Sequence, residues 1–198
     1  MAEARDAALL EEAKKKRIVE QQREVRFQVM QDFLQLRGRN EGNPHRWGAI
    51  VEDCISMTIP MTPFQSMVPD ATMSLSSTEA VPTEQILYGV TDIMADSTHF
   101  ASFLQSLGNS ASSESPARAV ITPVTFEYKC DRANFLMDNN AAILNWTAQS
   151  SGAMLQGARR ELALQGSMRA WFCTETNCLE KVALQFDTGV VQSQLLAL

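Results

Sequence analysis

The sequence predicts an α+β protein: N-terminal helices packed against a strongly curved antiparallel sheet, with a long N-terminal helical extension. Three observations predict it. Residues 157–187 alternate apolar and polar side chains on both sides of a tight polar loop, as two long strands buried on one face would. Residues 2–37 contain neither Gly nor Pro and are rich in helix formers. Between these ends the apolar spacing changes from three-and-four to two, so helices come first and the sheet last.

The N-terminal helix is expected over residues 2–37. Its zipper positions 18, 22, 25, 29, 32 and 36 carry Ile, Gln, Val, Val, Asp and Leu, a thin coiled-coil seam. After Val25 the apolar stripe broadens through Val29, Phe33 and Leu36, with Met30 and Leu34 beside it, as in a helix docking onto a core. Gly38 would end it as a left-handed cap. Asn43-Pro44 then opens a second helix, with Asn as N-cap and Pro in the first turn. Trp47, Ile50, Val51, Cys54 and Ile55 would be its apolar face, ending before Pro60.

Residues 65–83 are a Ser/Thr/Met/Pro loop, and 109–117 a second flexible connector. Between them Ile86-Leu87-Tyr88 reads as a short strand broken by Gly89, followed by one or two helices to Leu107 with Phe100, Phe103 and Leu104 inward. From residue 118 the chain reads as strand. Val120, Thr122, Val124, Phe126 and Tyr128 share one face, and Pro123 favours an edge. Ala142, Leu144, Trp146 and Ala148 make the next strand. In the closing hairpin Leu162, Leu164, Met168, Ala170 and Phe172 face inward, as do Val182, Leu184 and Phe186.

Composition bounds the function. A chain of 198 residues with 45% apolar residues suits one domain plus an extension. A net charge of −6 argues against a nucleic-acid clamp, which needs surplus cations to displace counterions. No apolar run reaches the length of a membrane span, and the charged N-terminus is unlike a secretory signal. An intracellular protein is therefore expected. Its four cysteines, at 54, 130, 173 and 178, then read as free thiols. Cys173 and Cys178 flank the hairpin loop, where zinc or a cross-loop disulfide is the competing reading. A zinc knuckle needs tighter spacing and a second ligand pair, with only His45 and His99 available, and a strained disulfide would be reduced in such a cell.

No nucleophile elbow, phosphate loop or paired zinc ligands occur, and no metal or cofactor is expected. The titratable candidates for acid–base chemistry are Asp53, Tyr88, Asp92, Asp96, His99, Asp138 and Arg169. Asp53 flanks the apolar helix face, His99 adjoins Phe100, and Arg169 has the outward phase of its strand. The expected interior around Trp47, Ile50, Cys54 and Phe103 is greasy, with Trp146, Met168 and Phe172 completing it. Such a lining fits a filled core or a pocket for a small apolar ligand better than a reaction site.

The order of these elements resembles the nuclear-transport-factor-2-like, or SnoaL-like, cone fold. The likeness is carried by the stretch holding Trp47 and Asp53 with its Thr-Pro exit, by Gly89 leading into a helix, and by the closing strands into FDTGVVQSQL (186–195). A narrower likeness lies in REVRFQVMQDFLQLRG (23–38), RWGAIVEDCISMTIPMTPF (46–64) and GARRELALQGSMRAWF (157–172). These resemble the C-terminal region of stramenopile-type basic-leucine-zipper transcription factors. That resemblance implies a helical extension over 1–40, the end of a zipper coiled coil, and a cone domain over 41–198. It further implies a non-catalytic dimerisation or regulatory domain in the nucleus, the cytoplasm being the alternative.

The family's basic region is missing. Lys14, Lys15, Lys16 and Arg17 lie among Glu11, Glu12 and Glu20, without the spaced Asn and Arg that read base edges. DNA would be reached only through a region outside this chain. A homo- or heterodimer would use the N-terminal helix, the outward sheet face, or both. That face would carry Glu161, Ala163, Gln165, Ser167, Arg169 and Trp171, with Ala183 and Gln185. Trp171 would anchor a partner or lie flat under the N-terminal helix. The alternative function is a SnoaL-like isomerase, hydratase or hydrolase, or an apolar-ligand-binding cone protein, and an open cavity with a buried Asp, His or Tyr would distinguish it.

Overall fold

A computed structural model describes residues 2–61, 83–109, 123–156 and 160–196. Most of the two expected loops, and residues 118–122 of the expected strand, lie outside the described residues.

Helix α1 runs Ala2–Gly38. Its first half stands clear of the body, with Leu9, Leu10, Ile18 and Val19 exposed. From Phe27 onward it docks: Phe27, Met30, Phe33 and Leu34 are buried, with Val29 and Leu36 partly covered. Val25 is exposed, so the docking stripe is rotated from the expected one towards Arg26 and Phe27. Gly38 is the last helical residue, and Asn40, at φ 52°, takes the left-handed position instead. The Asn40 N–H donates to Arg37 O (3.2 Å) and the Glu41 N–H to Leu36 O (3.0 Å), satisfying two terminal carbonyls. The glycine at 38 answers a different need, because a Cβ there would sit 2.2 Å from Phe126 O.

Helix α2 is a single turn, Pro44–Gly48, capped as expected by the Asn43 side chain accepting from His45 N–H at 3.0 Å. The expected continuation of this helix is corrected. Val51–Pro60 forms strand β1, with Ile55, Met57 and Ile59 buried alternately. Its β-branched residues suit a strand, and a short apolar run of this kind is ambiguous until a pairing partner decides it. The partners are β2 (Glu84–Tyr88), antiparallel, and β7 (Leu179–Phe186), parallel. A register irregularity between Val51 and Ser56 leaves Asp53 and Cys54 outside.

Gly89, at φ +72°, turns β2 directly into α3 (Gly89–Asn109). The remaining strands are β3 (Thr125–Cys130), the short β4 (Leu136–Asp138), β5 (Ala141–Ser151) and β6 (Ala163–Phe172), and α4 (Thr188–Leu196) closes the chain. Sheet order is β2-β1-β7-β6-β5-β3, with β4 on β5. Only the β1–β7 pair is parallel among the described strands.

Strands β5 and β6 meet at Trp146 opposite Gly166. A Cβ at Gly166 would lie 2.1 Å from Gln185 O and 2.6 Å from the Trp146 ring. The indole therefore lies flat on a glycine, which lets the sheet bend under it. Phe33 meets Trp47 edge-on at 5.5 Å, and Phe27 meets Phe135 likewise at 5.4 Å, fastening α1 to the concave side. Gly166→Ala is expected to lower unfolding free energy by about 1–3 kcal/mol through overpacking, and Gly38→Ala comparably. Chemical denaturation checks both, with the exposed Ala163→Ser near neutral.

Candidate functional site

The concave side is filled at one end and open at the other. A cavity of about 880 Å³ lies between α3, the last turn of α1 and the sheet. Ile59, Leu87, Phe126, Leu164, Leu184 and Phe186 supply apolar wall, while Phe100 stacks on Phe126 at 5.4 Å. Trp146 lies at the back, edge-on to Tyr128 at 5.2 Å and to Phe186 at 6.2 Å. Its indole N–H is buried without a hydrogen-bond partner among the described residues.

Polar groups gather on one wall. Arg37 forms a salt bridge with Asp96, their side chains 12% and 7% exposed. The same guanidinium donates to Ser97 Oγ at 3.2 Å, and the Ser97 hydroxyl donates to Ile93 O at 3.0 Å. Burial pushes the Tyr128 phenol above its ordinary range, with Arg37 beside it working the other way. Gln35 ties this region to α1 by donating to Tyr128 O at 2.7 Å. Asn40, left-handed at the end of α1, donates to Val124 O at 3.1 Å on the rim. His99 and Asp92 also reach the rim, both exposed. The Asp96 carboxylate is thus already engaged by a cation, and a paired wall of this kind can receive a polar group. No group of three metal-ligating side chains occurs among the described residues.

The residues expected to line a pocket divide. Trp146 borders the cavity. Trp47, Ile50, Met168 and Phe172 are buried away from it, at the filled end, where Trp47 Nε1 donates to Glu41 O at 2.9 Å. Cys54 is corrected to an exposed position, because its segment is strand rather than helix. The Phe103 side chain lies outside the described residues. Among the acid–base candidates, Asp53, Tyr88 and Asp138 are exposed, and only Asp96 is buried. Arg37 and Tyr128 were not among them. Arg37 could have been found from its spacing, since it follows Phe33 and Leu34 by one turn on a buried face.

On the convex face Ala163, Gln165, Arg169 and Gln185 are exposed, while Ser167, Trp171 and Ala183 are half-buried. Arg169 and Lys181 flank the Trp171 ring at 4.8 and 5.1 Å from its centroid. Helix α1 is on the other side of the sheet, where Arg26 lies 5.0 Å from the Phe172 ring centroid, so Trp171 is not beneath it. Glu161 is corrected as a member of this face. It precedes β6 and accepts from Ser150 Oγ and from the amides of Ala153 (3.2 Å) and Met154 (3.1 Å).

No protein-family model matches this sequence, and no curated protein matches it. Among solved structures, a protein provisionally named a SnoaL-like polyketide cyclase, from Shewanella denitrificans OS-217, superposes with a TM-score of 0.51 at 9% identity. The match covers 88% of this chain and 98% of that one. A protein of the same provisional name from Jannaschia sp. CCS1 gives a TM-score of 0.49 at 7% identity, covering 87% and 92%. At such identity the likeness concerns the fold, and this chain has the SnoaL-like, nuclear-transport-factor-2-like cone fold.

Breaking the buried pair is expected to be costly. Arg37→Leu takes the cation from Asp96 and should cost about 3–5 kcal/mol, much of it recovered in Arg37→Leu/Asp96→Leu, as denaturant titration of the set would measure. Glu161 gives a pH signature. Burial opposes its charge, yet the Ser150 hydroxyl and the amides of Met154, Ala153 and Gly152 hold its carboxyl below the usual range. Its stabilisation is thus full above the unfolded-state value and lost as pH falls through the folded one. Glu161→Gln should melt below the parent at pH 7, with the two curves converging below about pH 4.

Proposed function

We propose that this chain is a small-molecule-binding cone protein whose ligand is a largely apolar, ring-sized molecule with one polar end. The observation that carries this reading is the open cavity of about 880 Å³, apolar over most of its wall and polar at one side. That volume lies within the roughly 300–1,000 Å³ of small-molecule sites. The apolar body would rest against Phe100, Phe126, Leu164 and Phe186, and the polar end would meet Tyr128 and the Arg37–Asp96 pair. A ligand acceptor near Trp146 would relieve its unpartnered N–H. The Shewanella protein is named for polyketide cyclisation, and a fused-ring ketone is the kind of molecule this space would hold. Binding is favoured over catalysis because the deep carboxylate is neutralised by its guanidinium.

Fluorescence titration with a panel of polycyclic ketones, steroids and their hydrocarbon analogues tests this. Saturable binding is expected in the micromolar range, abolished by Leu164→Trp, which fills the cavity, at nearly unchanged melting temperature. Linear, non-saturating signals across the panel would defeat it.

A second reading, a dimerisation or regulatory domain of a zipper-type transcriptional regulator, is favoured by the exposed first half of α1 and by the convex face. Leu9, Leu10, Ile18 and Val19 would need a partner helix in that setting. On the sheet, Ile86, Thr58, Ala183, Arg169, Ile143 and Leu136 form one cross-strand row beside Trp171. In this reading a second copy covers that row. Sedimentation at tens of micromolar should then show a dimer that Trp171→Ala weakens at least tenfold; a monomer unaffected by the substitution would exclude the sheet face as the contact.

A further inference from the structure

We propose that Cys173 and Cys178, at the filled end of the cone, form a redox-active dithiol that closes to an intramolecular disulfide by exchange with a low-molecular-weight disulfide. The placement follows from the hairpin register. Phe172 and Leu179 are paired and both buried, so the next residues along each strand, Cys173 and Cys178, turn together to the opposite side. The Cys173 N–H donates to Cys178 O at 2.9 Å, which sets the two directly across from each other. Opposed antiparallel residues have Cα atoms roughly 4.5–5.5 Å apart, inside the range a disulfide spans.

The four residues between them are held from several sides. The Asn177 N–H donates to Cys173 O at 3.0 Å, and Asn177 adopts φ 60°. The Asn177 side-chain oxygen accepts from Arg26 Nε at 3.3 Å. Thr176 donates its hydroxyl to Glu52 and accepts from Cys178 N–H at 3.1 Å. The Cys178 thiol faces Ala49 O at 4.0 Å. Closing the ring therefore orders little that is not already ordered, and it would lock the loop that receives Arg26 from α1.

Apposition across the hairpin separates this pair from Cys54 and Cys130. Both thiols are half-buried and free. The Cys130 thiol is pushed up to about 11 by burial, which keeps it protonated and unreactive at neutral pH. The exchange balances in two steps. One cysteine thiolate attacks the small disulfide, forming a mixed disulfide and releasing one small thiol. The second thiolate displaces the other small thiol, so the protein pair loses two electrons and two protons overall and the small disulfide is reduced. The two sulfurs lie away from the cavity, so this inference stands or falls independently of ligand binding.

The full chain would be equilibrated with oxidised and reduced glutathione, quenched with acid, alkylated and digested with trypsin. One peptide, residues 170–181, carries both cysteines. After oxidation it should be two hydrogen masses lighter and unalkylated, while the exposed Cys54 remains alkylated or carries glutathione. Cys178→Ser should trap one glutathione on Cys173, and phenylarsine oxide should bind the reduced protein one-to-one but neither Cys173→Ser nor Cys178→Ser. A persistent glutathione adduct on residues 170–181 of the parent protein, or two alkyl groups there when Cys54 is already modified, would overturn the proposal.

Discussion

The contact between the second half of α1 and the concave face of the sheet organises both ends of the molecule. Arg26 and Arg37 are eleven residues apart, about three helical turns, so one helix face delivers a guanidinium to each end of the cone over about 16 Å. Between them Phe27, Met30, Phe33 and Leu34 enter the core. At Gly38 the strand leaves no room for a Cβ. If this contact shifted by a turn, the core, the cavity wall and the hairpin loop would all lose their partners.

The two arginines are satisfied differently, and that difference separates structure from site. Arg26 is buried without a carboxylate among its described contacts: Asn139 O and Asn177 Oδ1 accept from it, and the Phe172 ring lies against it. Loss of hydration lowers its pKa from the ordinary value, and its bonds tie the helix to two left-handed turns at Asn139 and Asn177. Arg37 instead meets Asp96 and Ser97 on α3. There a cavity opens between α3, the last turn of α1 and the sheet. A filled end fixes the helix, and the open end inherits its position.

Much of the fold was legible in the sequence because its strongest signals are periodic. The closing hairpin, the Ala141–Ser151 strand and the strand-to-helix turn at Gly89 all follow from alternation or from a glycine in a left-handed conformation. Residues 51–60 were misread because Trp47, Ile50, Val51, Cys54 and Ile55 satisfy a helical spacing by coincidence, while the strand is decided by β2 and β7, distant in sequence. Of the site, Trp146 was legible as lining, and Asp96, Asp92 and His99 as titratable candidates. Arg37 and Tyr128 are polar residues on apolar faces, and burial of such groups depends on what packs opposite them.

By itself the sequence determined the α+β class, the leading helix, the free thiols' spacing about the hairpin loop and the inward phase of β5, β6 and β7. Local preference and period suffice for those, since they concern residues near one another in the chain. Only the tertiary structure decided that β1 pairs parallel with β7, that Glu161 folds back on the turn after β5, and that Arg37, Asp96 and Tyr128 share one wall. These are contacts between segments far apart in sequence, and their energies depend on desolvation, which no single segment sets alone.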